Sequence, residues 1–165
     1  STATTVFDRD GGNKEAFWNR TGTSVFAQAK IQRLQSVKPY GRLWQLSYSN
    51  TYTQNVQFDN NNLSFKHRVN ADYNFGGAHN LSDGDTLKTG YAFQLNDGKG
   101  VLNGSILGTV TTLPIHTPTD SKLPDFMDIG RFGSSNVSYL NNPISRLTFW
   151  KTRLPDASLI NITNT

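Results

Sequence analysis

Apolar and polar residues alternate along much of the chain, which is the pattern of β-strands that bury one face. The clearest case is residues 62–69, in which one face carries Leu63, Phe65, His67 and Val69. The opposite face carries Ser64, Lys66 and Arg68. The pattern is typical of a half-buried antiparallel strand. Related patterns predict further strands at 23–31, 41–48, 126–130 and 144–150.

Residues 90–110 predict a meander of three strands. Two short apolar runs flank Asn103-Gly104, and Asn-Gly between such runs is the strongest local signal of a β-hairpin, because both residues adopt positive φ readily. In total the pattern predicts about eight to twelve short strands, as in an antiparallel sandwich or barrel. The polar stretches 49–55, 70–85 and 116–125 are predicted to be long loops between strands.

The end of the chain breaks the strand pattern. Leu154-Pro155-Asp156 predicts the start of a short helix, because proline and an acidic residue both favour a first helical turn. Leu159, Ile160 and Ile162 would then fold back over one end of the sandwich. The intrinsic helix propensity is poor, so packing must hold this helix in place.

Length and composition fit one all-β domain spanning residues 1–165. Aromatic residues are 12 % of the chain, enough to fill a core, and we expect Trp18, Trp44, Phe93, Phe149 and Trp150 to be buried. With no cysteine, the chain has no disulfide and no thiolate metal site. No apolar run is long enough to span a bilayer, so membrane insertion is not expected.

The formal net charge of +4 invites a nucleic-acid function, but the distribution of charge argues against one. The sixteen Lys and Arg residues are scattered singly, and no base-stacking motif accompanies them. We therefore expect no nucleic-acid partner, although mild attraction to anionic polymers, including anionic glycans, is compatible with this charge.

Residues 89–163 resemble the C-terminal half of concanavalin A-like (laminin-G-like, jelly-roll) modules of bacteriophage tail and fibre proteins. The matching stretches are TGYAFQLNDGKGVLNGSILGT, MDIGRFGSSNVSYLNNPISRLTFW and KTRLPDASLINIT, in that order. Upstream, FWNRTGTSVFAQAKI resembles the approach to the first sheet strand. One departure is Asn142-Pro143, where the family usually has glycine followed by a polar residue.

This resemblance implies an antiparallel β-sandwich of two curved sheets, a sugar-binding function and a place in a virion adhesion apparatus. It does not imply enzymatic activity. Glycanases of this fold use paired carboxylates, whereas Glu15 is the one glutamate of this chain and Asp125 and Asp128 would face opposite sides of a strand. We therefore expect a protein that is not an enzyme.

Metal and cofactor sites find little support in the sequence. No histidines or carboxylates stand at zinc-binding spacing. Asp83 and Asp85 could supply oxygens to calcium, but two carboxylates are few for that ion and a tight turn explains the stretch more simply. No cofactor is expected. His67 is interpreted as a packed histidine.

Sugar recognition combines an exposed aromatic face with amide and hydroxyl groups. Two of the predicted loops have this composition, and we hypothesise that they line one patch in which Tyr52 or Tyr73 stacks on a sugar ring. The predicted carbohydrate-binding residues are Asn50, Tyr52, Asn55, Tyr73, Asn74 and His79. The alternative is that both are ordinary solvated loops, each with its tyrosine anchored in the core.

The leading hypothesis is a carbohydrate-binding module of a viral tail or fibre, located on the virion and binding a host cell-surface glycan. Other virion proteins are expected partners, and a homo-oligomer is compatible with the sequence. The alternative is a purely structural virion module that caps, trimerises or decorates the particle. A depolymerase is disfavoured by the shortage of carboxylates.

Overall fold

A computed structural model describes residues 21–32, 41–49, 52–59, 61–69, 71–115, 126–130, 140 and 142–165. Ten strands and one helix occupy these residues. The first five strands are β1 (Gly22–Lys30), β2 (Gly41–Ser49), β3 (Tyr52–Phe58), β4 (Asn62–Val69) and β5 (Ala71–Ala78). The others are β6 (Thr86–Gln94), β7 (Asp97–Leu102), β8 (Ser105–Val110), β9 (Phe126–Ile129) and β10 (Ile144–Trp150). The helix α1 spans Asp156–Asn164.

The strands form two antiparallel five-stranded sheets that pack as a sandwich. Sheet A has the order β10-β1-β6-β7-β8, and sheet B has the order β5-β4-β3-β2-β9. The predicted all-β jelly-roll sandwich with a short C-terminal helix is confirmed. The strands predicted at 23–31, 41–48, 62–69, 126–130 and 144–150 are confirmed with ends shifted by at most one residue.

Aromatic side chains fill the space between the sheets. Trp44 of sheet B stacks on Tyr91 of sheet A with ring centroids 5.9 Å apart, and Phe65 lies 5.5 Å from the same tyrosine ring. Phe93 lies 5.0 Å from Tyr91. These contacts confirm that Trp44 and Phe93 are core residues, and the predicted packing of His67 is confirmed by its complete burial against the Phe93 ring.

The other aromatics of the predicted core have different positions. Phe149 is half-buried and packs edge-on against Trp44. Trp150 is half-buried on the opposite face of β10, opposite Ser24, so it does not contribute to the packing between the sheets. The prediction for Trp150 was therefore wrong, because adjacent residues of a strand face opposite sides. Trp18 lies outside the described residues.

The predicted Asn103-Gly104 hairpin joins β7 to β8. Both residues have positive φ, 45° and 80°, as this two-residue turn requires. The Asn103 side chain also ties the hairpin to β6, because its Oδ1 accepts from the Lys88 amide at 2.8 Å and its Nδ2 donates to the Thr86 carbonyl at 3.1 Å.

Two of the predicted loops contain strands, so those predictions were wrong. β3 begins inside the stretch 49–55, and β5 lies inside the stretch 70–85. β3 was missed because Gln54, on its inner face, is polar and so interrupts the alternation of apolar and polar residues. β5 was missed because Gly76 and Gly77 resemble turn residues, whereas Gly76 (φ 143°) sits so close to β4 that a Cβ would lie 2.1 Å from the Leu63 carbonyl oxygen. The predicted loop 116–125 lies outside the described residues.

The predicted C-terminal helix is confirmed, but it lies across the outer face of sheet A rather than over an end of the sandwich. Leu159 is fully buried against Ala92 and Val101. The approach of the helix to the sheet is close, since a Cβ at Gly90 would lie 2.7 Å from Leu159 Cγ.

The start of the helix is held by two ion pairs of Arg153. They join Arg153 to Asp97 of β7 (2.8 Å) and to Asp156 of the helix (2.6 Å), and so fix the start of the helix to β7. Among the described residues no helix is long and apolar enough to cross a membrane.

Candidate functional site

The outer face of sheet B is polar across all five strands. The strand register places one polar residue of each strand side by side in a row, in the order Asp128, Gln45, Asn55, Lys66 and Asn74. A parallel row two residues away contains Ser47, Thr53, Arg68 and Asp72 on β2 to β5, and its position on β9 is Phe126. Alternation along each strand turns these polar side chains away from the space between the sheets. The polar members on β2, β3 and β9 are buried, whereas those on β4 and β5 are half-buried or exposed.

Two adjoining grooves run over this face where β3, β4 and β5 meet. The first, named here the glycine groove, has a volume of about 310 Å³ and is bordered by Gln57, Asp59, Asn62, Ser64, Phe75, Gly76 and Gly77. The second, named the arginine groove, has a volume of about 300 Å³ and is bordered by Arg42, Thr53, Asn55, Arg68, Asp72 and Tyr73. Lys66 and Asn74 line both grooves. Each volume matches the lower end of small-molecule sites.

Each groove contains a buried hydrogen-bond acceptor without a partner among the described residues. Asn55, only 1 % exposed, lines the arginine groove and its Oδ1 has no partner in the described ranges, and Gln57, 3 % exposed, lines the glycine groove and its Oε1 likewise has none there. An unsatisfied buried acceptor destabilises a fold by about 1–3 kcal/mol. Buried polar atoms without partners require an explanation, and these two oxygens are candidate acceptors for hydroxyl donors of a ligand.

The structure brings together three of the predicted sugar-binding residues, since Asn55, Tyr73 and Asn74 all line the arginine groove. Asn55 and Asn74 stand in the same row of the face, on either side of Lys66. The sequence reasoning missed Lys66, Gln57 and Arg42 as site residues. A signal for Lys66 was present in the sequence, since Lys66 belongs to the polar face of the most regular strand, β4. If residues 49–55 and 70–85 had been predicted as strands beside β4 rather than as loops, Lys66 would have been placed between Asn55 and Asn74.

The predicted stacking tyrosines are placed differently from one another. Tyr73 is half-buried and packs against the core while also lining the arginine groove at the β5 edge of the sheet. Its position on the inner face agrees with a tyrosine anchored in the core. Tyr52 is the first residue of β3 and pairs with Ser49, and its side chain is outside the described part of the structure. Asn50 also lies outside the described residues.

His79, the remaining predicted site residue, is 9 % exposed and bonded to backbone through both ring nitrogens. Its Nε2 lies 2.8 Å from the Asp59 carbonyl oxygen, and its Nδ1 accepts from the Leu81 amide at 3.3 Å. This pattern fixes the neutral tautomer with hydrogen on Nε2. The ring therefore joins the end of β5 to the turn after β3 and leaves no nitrogen for a sugar hydroxyl.

The carboxylates around the grooves have structural partners. Asp59 Oδ1 accepts from the amides of Asn61 and Asn62 at 2.9 and 2.8 Å, which closes the turn between β3 and β4. Asp72 pairs with Arg68 at 2.9 Å. In the described ranges no group of three or more His or acidic residues is arranged to hold a metal ion. Asp125, proposed with Asp128 as the nearest carboxylate pair, lies outside these ranges.

The stretch 83–85, considered for calcium, forms a tight turn, as the simpler interpretation predicted. Gly84 has φ 94°, and the Asp85 carboxylate accepts from the Ser82 amide at 2.7 Å. The Gly84 amide also donates to the Ile31 carbonyl at 2.7 Å. The Asp85 carboxylate thus closes the turn, and the Gly84 amide joins the turn to Ile31, the residue after β1.

Arg42 is a half-buried cation of the arginine groove. Burial of its guanidinium lowers the pKa of Arg42 to about 10, although the nearby negative charge of Asp128 acts in the opposite direction. The Arg42 guanidinium also donates to Gln45 Oε1, and Gln45 Nε2 donates to the Ser47 hydroxyl at 2.5 Å. A chain of hydrogen bonds therefore holds this cation in place at the side of the groove.

Comparison with known proteins places the fold but not the family. No protein-family model and no curated protein sequence matches the chain. Solved structures do match, and they share the jelly-roll sandwich. A structure of botulinum neurotoxin type C, whose cell entry depends on interaction with two ganglioside molecules, superposes with a TM-score of 0.72 at 11 % identity. That match covers 98 % of this chain and 39 % of the toxin chain.

Two other solved structures extend the comparison. Domains LG4-5 of the mouse laminin alpha1 chain match with a TM-score of 0.68 at 11 % identity, over 94 % of this chain and 41 % of that one. Domain 4 of AbnA, an extracellular arabinanase of Geobacillus stearothermophilus solved with arabinotriose, matches with a TM-score of 0.69 at 12 % identity, over 100 % and 82 % of the two chains. This chain thus spans about two fifths of the toxin and laminin chains. At these identities the likeness establishes the fold.

Proposed function

We propose that this chain is a non-catalytic carbohydrate-binding module, with the outer face of sheet B as its binding surface. We further propose that residues 1–165 form one domain of a phage tail or fibre protein that recognises a glycan on the host cell surface. In this proposal the protein is located on the virion and contacts other virion proteins.

The observation that carries the proposal is the pair of unpartnered acceptors, Asn55 Oδ1 and Gln57 Oε1, one in each of two adjoining grooves. Sugars offer many hydroxyl donors, and their recognition relies on amide, hydroxyl and charged groups held at fixed positions. A β-sheet holds its outward side chains at regular spacing, so this face can contact successive sugar hydroxyls. Tyr73 and Phe75 add apolar surface where the grooves meet the β5 edge.

Similar proteins give independent support. The matching structures include a toxin whose cell entry depends on interaction with gangliosides and an arabinanase domain in complex with arabinotriose. A sialidase structure also matches, over 87 % of this chain and 23 % of the sialidase chain. The phage setting is supported by the sequence resemblance of residues 89–163 to modules of tail and fibre proteins.

A groove of about 300 Å³ holds one or two sugar units, and single-site sugar binding of this size is weak. Presentation of several copies on one particle raises the effective affinity by about 10²–10⁴ without any new contact. We therefore propose that the module acts as a homo-oligomer or as repeated copies on the virion.

A glycan array tests the function, with the labelled chain pre-oligomerised and assayed with and without calcium. Asn74→Ala removes an exposed amide that lines both grooves. Asn161→Ala is the matched control, because Asn161 is exposed on α1, which lies over the other sheet. The proposal expects a coherent hit on one glycan class that Asn74→Ala weakens and Asn161→Ala leaves unchanged.

A blank array from folded protein, repeated on polysaccharide from candidate hosts, would contradict the binding function. It would favour the structural virion module instead. Release of reducing ends from host polysaccharide would contradict the non-catalytic part of the proposal.

A further inference from the structure

The charge of the arginine groove differs from that of an ordinary neutral sugar site. Of the residues that the structure describes, Arg42, Lys66 and Arg68 line it, together with the carboxylate of Asp72. Asp128, which acts on Arg42 through its charge, is the other carboxylate nearby. Among the described residues, three cationic side chains of the groove therefore stand beside two carboxylates.

The cations lie at different depths, and this difference suits a charged ligand. Lys66 stands in the centre of the face, between Asn55 and Asn74, at the junction of the two grooves. Arg68 is partly exposed, with its Nε 2.9 Å from Asp72 Oδ1. Arg42 is half-buried, and burial lowers its pKa more than the charge of Asp128 raises it. An anion entering the groove would stabilise the charged form of Arg42, since it replaces lost hydration.

The amide of Asn55, which lines the same groove as these cations, indicates that the ligand also carries a hydrogen-bond donor. Asn55 Oδ1 is buried and unpartnered at the same groove, and as an acceptor it requires a donor. A carboxylate alone has no donor to offer. A sugar that carries a carboxylate has both, because its hydroxyls donate to the amide oxygen while its carboxylate accepts from the cations.

From this arrangement we propose that the arginine groove selects a sugar that bears a carboxylate, such as a uronic or a sialic acid, over its neutral counterpart. The inference rests on the proposed glycan-binding function and adds the chemical class of the ligand. Lys66 and Arg68 bind the carboxylate, and Asn55 accepts from a neighbouring hydroxyl. The adjoining glycine groove, with Gln57 Oε1, takes the next sugar unit.

Two matched pairs of oligosaccharides test this class directly by titration calorimetry. One pair is oligogalacturonate and its carboxyl-reduced form, and the other is sialyllactose and lactose. We expect the acidic member of at least one pair to bind about tenfold to a hundredfold more tightly, the range for a charge-assisted hydrogen bond. Binding should weaken as sodium chloride is raised from 50 to 300 mM, and the pair that responds identifies the source of the carboxylate.

Substitutions of single cations test whether the preference for an acidic sugar arises in the arginine groove. Lys66→Gln should reduce binding of the acidic sugar about tenfold. Lys30→Gln removes the same charge from an exposed position on sheet A and should change binding less than twofold. Arg68→Gln provides a second test if Lys66→Gln does not fold, as judged by thermal unfolding.

Equal binding of acidic and neutral members, with no effect of Lys66→Gln or Arg68→Gln, would overturn the acidic preference while glycan binding itself stands. Absence of binding to any member of either pair, together with a blank array, would overturn the proposed function and this inference together.

Discussion

The outer faces of the two sheets have opposite character, although both belong to one sandwich. On sheet A, small and apolar residues accept the helix α1, and Leu159 is completely buried there. On sheet B, the outward side chains are amides, hydroxyls and charges, and two buried acceptors have no partner among the described residues. Stability is therefore concentrated on one outer face, while groups suited to a ligand are concentrated on the other.

This comparison implies that stability and binding can be changed separately. A substitution under α1 should lower the free energy of unfolding without reaching the grooves, because the core lies between the two faces. A substitution in the grooves should act on binding first, and on stability only through the unpartnered groups. The following changes test this separation.

Leu159→Ala should have the largest effect. Removing this buried side chain leaves a cavity between α1 and sheet A, and we expect a loss of about 2–5 kcal/mol in urea unfolding. Leu95→Ala is the control, because Leu95 is 57 % exposed and its truncation should stay within about 0.5 kcal/mol. Similar values for both variants would show that the helix adds nothing to the fold.

Gly90→Ala should destabilise the protein by about 1–3 kcal/mol, because its methyl group would lie 2.7 Å from Leu159 Cγ and force the helix outward. Gly77→Ala on β5 is the matched control, since its methyl group would meet Leu107 Cδ1 at an ordinary 3.6 Å. Thermal unfolding measures both. An unchanged melting temperature for Gly90→Ala would contradict the close packing of α1.

Gln57→Met and Gln54→Met compare the outer and the inner face of sheet B in their effect on stability and on binding. Both glutamines are buried and have unpartnered side-chain atoms, so each substitution should stabilise the fold by about 1 kcal/mol. Gln57 lines the glycine groove, whereas Gln54 lies in the inner row between Leu46 and His67. Only Gln57→Met should weaken glycan binding. Equal loss of binding in both variants would place the site elsewhere.

The smallest expected effect concerns pH and the start of α1. Burial by itself raises the pKa of Asp156, but its hydrogen bond and ion pair with Arg153, together with Lys99, outweigh this and hold the pKa below the ordinary value. The resulting stability is present above about pH 4, the pKa in the unfolded chain, and is lost as the pH falls through the lower folded value.

Asp156→Asn should therefore lower stability at pH 7 by less than about 1 kcal/mol, since the side chain is 41 % exposed. Urea unfolding at pH 7 and at pH 2.5 measures the difference in the free energy of unfolding between the variant and the parent chain. The difference should shrink at the lower pH, and a difference that grows there would contradict the assigned ion pairs.

The regular parts of the fold could be predicted from sequence because each followed one physical rule. Residues 62–69 alternate cleanly, since β4 has one face in the core and one outside, and its predicted ends are confirmed. Asn103-Gly104 identified a hairpin through its φ preference. β3 could not be recognised, because Gln54 is a polar residue on its inner face and removes the alternation.

The candidate site was only partly predictable for a related reason. Composition selected Asn55 and Asn74, and the sheet register places them in one row. The sequence could not show that Lys66 separates them, because that depends on pairing between three strands rather than on any one segment. His79 had the composition of a ligand group, but its bonds to Asp59 and Leu81 come from the turn geometry.

The position of β1 between β6 and β10 sets the order in which the chain can fold. The Ser24 hydroxyl bonds the carbonyl of Thr152, 128 positions further along, and Val25 pairs with Phe149. At typical translation rates, the time between the synthesis of β1 and that of β10 is on the order of 10 s. During this time the edge of β1 that pairs with β10 has no neighbouring strand. Such distant pairing slows folding, and we expect the nascent chain to depend on protection of this edge until the last strand emerges from the ribosome.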